Sequence, residues 1–216
     1  MLDDERISSF ICSLDNLDKY KSELIKVIEE KALKDEVPII RTETQMLIRF
    51  LIKSFKPESI LEVGTAVGFS SIFMWESSDK KTSITTIENY DKRIPIARAN
   101  FEKAGAEDFI KLIEGDAGEV LSKLEGSYPF IFMDGAKGQY INYLPDVDRL
   151  LTHGGILLTD NVLRDGDVCE SRYAVTRRNR TIHSRMREYL YELTHRDDYE
   201  TVILNNGDGV AISYKK

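Results

Sequence analysis

Residues 60–70 read ILEVGTAVGFS, an apolar run that stops at a glycine and continues as the first turn of a helix. This order predicts a β-strand, a tight turn and a helix N-terminus. Gly64 can adopt backbone angles that are closed to other residues, and the helix after Gly68 offers unpaired N–H groups at the positive end of its dipole. We therefore expect a ligand to bind at this turn.

The turn does not match the dinucleotide fingerprint G-x-G-x-x-G, which would need glycine where the chain has Ala66 and Phe69. Glu62 favours a different ligand, because a carboxylate inside a strand is costly to bury unless it meets a polar or cationic partner. S-adenosylmethionine carries both an ammonium and a sulfonium. Taken alone, the stretch equally fits a strand, turn and helix without a ligand.

The composition fits one globular domain over residues 1–216, with 42% hydrophobic and 31% charged residues. No apolar run approaches the length of a membrane span, so we expect no membrane association. Residues 1–5 are acidic where a secretory signal would be basic, and Cys12 and Cys169 lack metal-ligand spacing, which together predict a cytoplasmic protein. The net charge of −7 argues against general nucleic-acid binding but permits a local basic face.

A helical cover is predicted over residues 1–56, ahead of the glycine turn. Residues 3–33 show helical spacing typical of two helices, whose apolar faces would comprise Ile7, Phe10, Ile11 and Leu14 in the first and Leu24, Val27 and Ile28 in the second. After Pro38, Thr42 and Gln45 form a capping-box pattern that predicts a helix through about residue 54.

The core, residues 57–216, alternates strand-like and helix-like patterns. Strands are predicted at 60–63, 83–87, 109–113, 130–133 and 156–159, and helices at 91–104, 117–124 and 140–150. This alternation indicates an α/β fold with a parallel sheet covered on both faces. A charged helix over 177–194 follows, and strands at 200–204 and 210–213 around the sequence NNGDG predict a closing antiparallel hairpin.

Polar residues follow the predicted strands. Glu88 ends the second strand, where a carboxylate typically accepts hydrogen bonds from ribose hydroxyls, and Asp116 follows the third, where a nucleobase edge would lie. Asp134 ends the fourth strand, and Asp160 and Asn161 end the fifth. Two carboxylates and an amide oxygen would leave open positions on a hard cation such as Mg²⁺. Each acid alone could instead be a helix cap or a loop residue.

Three motifs combine a strand with the residues that follow it: LEVG at 61–64 with GFS at 68–70, MDGAK at 133–137 with Tyr140, and TDNVL at 159–163. Together they resemble the cation-dependent, S-adenosylmethionine-dependent O-methyltransferases of the catechol and caffeoyl-CoA type. The resemblance covers nearly the whole chain and implies a Rossmann-like class I methyltransferase fold. Such a fold has a seven-stranded, mostly parallel sheet, a C-terminal antiparallel hairpin and N-terminal helices. Phe69 departs from the family, which usually has tyrosine there.

The resemblance also implies roles for single residues. Lys137 would be the general base, and Mg²⁺ would be bound by Asp134, Asp160 and Asn161. The S-adenosylmethionine site would be lined by Ile40, Glu62, Gly64, Ser70, Glu88, Asp116, Ala117 and Asp134. The family further suggests a homodimer, with the N-terminal helices near the interface or the pocket.

A basic segment, from Ser171 to Arg187, contains six arginines and no acid. A charge run is often a solvated helix face paired with acids from elsewhere. This one directly follows the strand that ends in Asp160, so it should stand at the rim of the pocket, where arginines can hold a phosphate backbone. The residues expected to bind tRNA are Arg172, Arg177, Arg178, Arg180 and Arg185.

Two further segments, NGDGVAIS at 206–213 and KGQY at 137–140, resemble the bacterial branch of the family that methylates tRNA. The implied reaction converts 5-hydroxyuridine at the wobble position of the anticodon loop into 5-methoxyuridine. Two alternatives remain open. One is a small-molecule O-methyltransferase of the catechol or caffeoyl-CoA type, and the other is a non-catalytic tRNA-binding module, against which the intact acids and Lys137 argue.

Overall fold

The computed structural model describes residues 4–14, 17–164 and 166–216, which include a seven-stranded sheet. Its strands are β1 (Ser59–Val63), β2 (Ser83–Glu88), β3 (Ile110–Glu114), β4 (Tyr128–Met133), β5 (Leu151–Asp160), β6 (Tyr199–Leu204) and β7 (Val210–Lys215). The strand order is β3-β2-β1-β4-β5-β7-β6, and β1 to β5 are parallel. Strand β7 is antiparallel to both β5 and β6. The predicted mostly parallel sheet with a C-terminal antiparallel hairpin is therefore confirmed.

Helices cover both faces of this sheet. They are α1 (Asp4–Leu14), α2 (Glu23–Lys34), α3 (Thr42–Phe55), α4 (Phe69–Ser77), α5 (Ile94–Ala104), α6 (Ala117–Lys123), α7 (Tyr140–Leu150) and α8 (Arg180–His195). In the part of the chain that the structure describes, no helix combines the length and the apolar character needed to cross a membrane.

The alternation of side chains along β1 divides the core between the two faces. Ile60 packs into one cluster with residues of α2, α3, α4 and α5, whereas Leu61 and Val63 pack into the other with residues of α6, α7 and α8. Successive side chains of a strand point to opposite faces, so a strand buried on both sides reads as a continuous apolar run. Glu62 is the exception within that run.

The N-terminal helices form where the sequence predicts them, but their contacts differ. The capping box is wrong: the residue that precedes α3 is Arg41, which makes no side-chain cap, and the Gln45 amide donates to the Ile40 carbonyl at 3.0 Å and to Glu29 at 2.9 Å. Tertiary acceptors therefore outcompete the local cap. The predicted start at Asp3 and the side chain of Ile7 lie outside the described residues.

The apolar face predicted for α1 is exposed, because Phe10, Ile11 and Leu14 remain 63%, 45% and 69% accessible. In α2 the buried face comprises Ile25, Ile28 and Ala32. Val27, which the spacing assigns to that face, is 59% accessible. Helical spacing identifies both helices, but it does not identify which apolar residues have a partner.

Gly64 is required by the protein's own backbone. Its φ is +108°, and a Cβ at this position would lie 2.3 Å from the carbonyl oxygen of Asp134. The approach follows from the parallel pairing of β1 with β4, in which the Asp134 N–H donates to the Val63 carbonyl at 3.0 Å. The glycine thus lets two strand ends meet, in addition to leaving main chain open to a ligand.

Gly64→Ala should destabilise the fold more than Gly126→Ala. Gly126 has nearly the same backbone angle, φ +104°, but a Cβ added there would meet no atom within 4 Å. Both variants incur the backbone strain of positive φ, and only Gly64→Ala adds a steric clash, which costs about 1–3 kcal/mol. Denaturant unfolding of both variants measures the difference, and equal losses would contradict the close approach.

Candidate active site

A cavity of about 760 Å³ opens at the carboxyl ends of β1, β2, β3 and β4. Part of its wall comes from the segment between α2 and α3, where Ile39 and Ile40 line it. Ligands of open parallel sheets bind at this edge, and the volume suits a ligand of nucleoside size. The helical cover therefore contributes directly to the candidate site.

The cavity brings together most of the residues predicted for the site. Those that line it are Ile40, Gly64, Ser70, Glu88, Asp116, Ala117, Asp134, Lys137 and Asn161. Glu62 and Asp160 do not line it. Asp160 is nonetheless the last residue of β5 and is only 2% accessible.

Glu62 lies beneath the cavity and meets partners from the protein itself. Its carboxylate accepts hydrogen bonds from the hydroxyls of Ser70, Ser71 and Thr86, and its side chain is fully buried. Burial raises the pKa of Glu62, and the three hydroxyl donors oppose that rise. The polar partners predicted for this carboxylate are therefore hydroxyls of α4 and β2. Glu62 holds the first turn of α4 against β1 and does not line the cavity.

Glu88 is held rigidly at the end of β2. One carboxylate oxygen accepts from the Ala66 N–H at 2.7 Å, and the other accepts from the N–H groups of Asn89 and Tyr90 at 3.0 and 2.9 Å. A carboxylate has about four acceptor sites, so these three backbone donors leave one site, on the oxygen that Ala66 contacts. The geometry suits a residue that is held in place and accepts a hydrogen bond from a ligand hydroxyl.

Asp116 is both a helix cap and a residue of the cavity wall. It precedes α6, and one of its oxygens accepts from the Gly118 and Glu119 N–H groups at 2.9 and 3.2 Å, as a helix cap does. It also lines the cavity together with Ala117. The cap fixes the side chain in place and leaves its second oxygen for other partners.

Asp134 and Asp160 form a pair of like charges, in which Asp160 is buried and Asp134 is half-buried at the cavity wall. Burial raises the pKa of Asp134 from 3.8 to about 6, which the positive charge of Lys137 partly opposes. Burial, followed by the negative charge of Asp134, raises the pKa of Asp160 from 3.8 to about 7. The pair therefore favours either a bound proton or a bound cation.

Asn161 follows this pair in a left-handed conformation with φ +59°. Its N–H donates to the Asp160 carboxylate at 2.8 Å, and its side chain lines the cavity. Over residues 4–14, 17–164 and 166–216, no group of three or more His, Cys, Asp or Glu side chains is placed to hold a metal ion. The metal ligands Asp134, Asp160 and Asn161, two carboxylates and an amide, therefore stay a prediction.

Lys137 begins a short 3-10 helix, Lys137–Gln139, that follows Asp134. Its ammonium lies 3.4 Å from a carboxylate oxygen of Asp208, a residue of the turn between β6 and β7. The lysine side chain is 33% accessible, whereas that of Asp208 is 6% accessible. Sequence reasoning placed Lys137 in the site but missed Asp208, which lies 71 residues away in the chain.

The basic segment differs from its prediction in one respect. Helix α8 begins at Arg180, so Arg177 and Arg178 lie in the turn that precedes it. These two residues and Arg172 are exposed, and none forms an ion pair or hydrogen bond with a described residue. These three side chains are therefore solvated, as the alternative interpretation expects, but they are not paired with acids of the described chain.

The other two arginines of the predicted set bind the protein's own backbone. Arg180 donates to the Val175 carbonyl at 3.3 Å, and Arg185 donates to the Gly138 carbonyl at 3.0 Å. The second bond ties α8 to the 3-10 helix that carries Lys137. Arg185 thus supports the loop of the site.

Several lining residues were not predicted. Asn89 directly follows Glu88 at the end of β2, and Tyr143 lies one helical turn after Tyr140. Its position directly after a strand could have marked Asn89 as a residue of the site. Arg93, Asn142 and Asp146 also line the cavity, but they lie on or before helices, where no strand end marked them.

Known proteins resemble this chain over most of its length. A sequence model of the O-methyltransferase family matches residues 12–216. A catechol O-methyltransferase of Mycobacterium tuberculosis is 29% identical over 136 residues, which are 62% of each chain. A caffeoyl-CoA O-methyltransferase of Stellaria longipes is 34% identical over 128 residues, which are 56% of this chain and 53% of the relative. The match thus spans less than two thirds of either relative.

Solved structures match more completely. A Staphylococcus aureus protein provisionally assigned as a caffeoyl-CoA O-methyltransferase has a TM-score of 0.88 and 34% identity, covering 97% of this chain and 99% of that protein. A Podospora anserina methyltransferase with bound S-adenosylhomocysteine has a TM-score of 0.86 and 25% identity, covering 100% and 98%. The fold is therefore the Rossmann-like methyltransferase fold, and the chain belongs to the O-methyltransferase family.

Proposed function

We propose that this chain transfers a methyl group from S-adenosylmethionine to the 5-hydroxyl of 5-hydroxyuridine in tRNA, with the help of Mg²⁺. The observation that carries the methyl-transfer proposal is the cavity itself, where Glu88, Asp134, Lys137 and Asn161 converge at the strand ends. An intact site of this kind argues against a non-catalytic binding module.

The cavity fits S-adenosylmethionine, whose sulfonium supplies the electrophilic methyl group when the cofactor is bound. Glu88 has both oxygens fixed by backbone donors, and the acceptor site that remains would take a hydrogen bond from a ribose hydroxyl. Asp116, fixed by its helix cap, would accept from the nucleobase edge. Ser70 lines the cavity at the start of α4, whose N-terminal N–H groups suit the carboxylate of the methionine moiety.

The donor set also fits a hard divalent cation. Asp134, Asp160 and Asn161 offer three oxygen-bearing side chains, and the two carboxylates repel each other unless a positive charge joins them. These three residues would hold Mg²⁺, which supplies positive charge that favours ionisation of a bound hydroxyl. The raised pKa values of both acids are the observation that supports this assignment.

The chain's own residues would handle the proton. Methyl transfer to a hydroxyl oxygen releases one proton, and Lys137 is the basic side chain on the cavity wall beside Asp134. We assign the neutral amine form of Lys137 as the proton acceptor, and the ammonium as the form that results. Its side chain is one third accessible, so the proton can pass to solvent after transfer.

The proposal of tRNA as substrate rests on the exposed arginines. Arg172, Arg177 and Arg178 carry three positive charges that no described acid neutralises, on a chain whose net charge is −7. Tyr173 stands among them and is 87% accessible. Arginines that contact phosphates and an aromatic ring on which a base can stack are the usual components of a single-strand RNA site. The anticodon loop offers both.

A second candidate is a small phenol. Two relatives are named catechol and caffeoyl-CoA O-methyltransferases, and the cavity described here would take such a molecule equally well. A substrate of that size would contact the cavity and would not need the basic segment.

We further propose a cytoplasmic homodimer. A tRNA substrate is found in the cytoplasm. The apolar residues Phe10, Ile11 and Leu14 of α1 are exposed in the single chain, and a second copy would cover them. Sedimentation of the purified protein over a concentration series would reveal a dimer of this kind.

Substrate choice is tested by following labelled methyl transfer. The protein should methylate tRNA that carries 5-hydroxyuridine, and it should leave catechol and caffeoyl-CoA nearly unmodified. Exhaustive chelation should abolish transfer, and added Mg²⁺ should restore it. Transfer to the phenols alone would support the second candidate, and transfer that survives chelation would refute the cation.

The acid pair should make metal-free stability fall as pH rises. Both carboxyls have raised pKa values in the folded state, so folding binds protons, and that stabilisation is lost between about pH 4 and 7. At pH 8 without metal, Asp160→Asn should therefore have a free energy of unfolding about 1–3 kcal/mol higher than that of wild type. Near pH 4 the two values should match.

Excess Mg²⁺ at pH 8 should stabilise wild type, by about 2.7 kcal/mol at one hundred times the dissociation constant, and should stabilise Asp160→Asn less. Thermal and denaturant unfolding with and without chelator measure both effects. Asp108→Asn, which changes an exposed acid, is the control. Parallel pH profiles for wild type and Asp160→Asn would contradict the pair of like charges.

Replacing Arg172, Arg177 and Arg178 by alanine should weaken tRNA binding and leave S-adenosylmethionine binding unchanged. Each lost phosphate contact flattens the plot of log affinity against log salt by about 0.7–0.9, so three contacts give a change of about 2 to 3. The matched control replaces Lys31, Lys34 and Lys103, three exposed lysines outside the cavity wall, for the same change in net charge. Equal slopes for the two triple variants would refute the role of the basic segment.

A further inference from the structure

We propose that Asp208 is a positioning residue for methyl transfer: it holds the Lys137 ammonium away from Asp134 and Asp160, so that these acids remain available to the cation. The inference rests on the proposed function, because it assigns a role in the same site. It adds a residue from the C-terminal hairpin to a set otherwise drawn from the ends of β4 and β5.

The first support is geometric. The Lys137 ammonium lies 3.4 Å from an Asp208 carboxylate oxygen, and the aspartate side chain is only 6% accessible. A carboxylate buried to this extent needs a positive or hydrogen-bonding partner. The lysine, at 33% accessible, is the more mobile member of the pair. Asp208 is therefore the fixed member, and Lys137 is the side chain that it directs.

The second support is the rigidity of the turn that carries Asp208. The Leu163 N–H donates to the Asp208 carbonyl at 3.0 Å, and the Val162 N–H donates to the Gly209 carbonyl at 2.9 Å. A Cβ on Gly209 would lie 2.8 Å from the Leu163 nitrogen, so the two segments are in direct contact. The turn is thus attached to the residues that immediately follow Asn161.

The third support is electrostatic. The positive charge of Lys137 acts on both Asp134 and Asp160, so either acid can attract the ammonium. An ammonium that moved onto them would occupy the space and the charge that a divalent cation needs. Asp208 attracts the same ammonium from the turn between β6 and β7. A charge on that side keeps the lysine at the cavity wall and separate from the cation's ligands.

A double-mutant cycle tests this role. The variants are Asp208→Asn, Lys137→Met and the double variant, measured by kcat and by Mg²⁺ titration calorimetry. Asp208→Asn should lower kcat about 10–100-fold, the usual loss when a supporting residue of a site is removed, and should weaken Mg²⁺ binding severalfold. In the Lys137→Met background the same substitution should leave kcat unchanged and should weaken Mg²⁺ binding less than it does in wild type. The ammonium that Asp208 restrains is then absent, and only the direct charge of Asp208 on Asp160 is lost.

Losses that multiply in the double variant would overturn the inference, since they would mean that Asp208 acts independently of Lys137. Asp208→Glu should retain most of kcat, and thermal unfolding checks that each variant folds. If Asp208→Asn does not fold, a comparison of Asp208→Glu with Asp208→Ser by the same calorimetry decides the question. Asp198→Asn is the control, because Asp198 forms its ion pair with Arg196.

The calorimetric measurement separates this inference from the proposed function. A wild-type protein that transfers no methyl group to tRNA or to phenols would refute the proposed function. The Mg²⁺ affinities of the four proteins would then still support or overturn the role of Asp208.

Discussion

The contact between the carboxyl ends of β1 and β4 determines where the acids of the site lie. Gly64 has no side chain, so the carbonyl of Asp134 can approach its α-carbon and the two strands remain paired to their last residues. Asp134 then stands at the cavity wall, and Lys137 follows it within one short turn. Arg185 reaches across from α8 to the Gly138 carbonyl and fixes that turn from the other side. One missing side chain thus organises both chemical groups of the site.

Negative charge in this region is balanced in two ways. Beneath the cavity, Glu62 is satisfied by three hydroxyls of the protein and has no need of a ligand. At the strand ends, Asp160 accepts a hydrogen bond from the Asn161 N–H, and burial raises the pKa of both Asp160 and Asp134. The first arrangement stabilises the fold, whereas the second supports the proposed cation. Both use the same residue chemistry at different depths.

The sequence predicts the strands and the strand-end acids well, because β/α alternation and apolar runs reflect burial directly. It fails where a partner is distant in the chain. The capping box at Thr42 is lost where the Gln45 amide donates to Glu29, 16 residues away, and Asp208 is reached only through the hairpin. Strand β5 begins five residues before its predicted start, at Leu151, because Gly154 and Gly155 are typical of a turn. Substrate identity is harder still, since exposed arginines show charge but not the molecule that they bind.

The position of β7 has a consequence for biosynthesis. This strand is the last of the seven in chain order, yet it lies inside the sheet between β5 and β6. A nascent chain on the ribosome can pair β1 through β5, but it cannot seat β6 until β7 has been made. The same step brings Asp208 to Lys137. The strands whose ends form the cavity are therefore synthesised well before Asp208, the residue that meets the Lys137 ammonium.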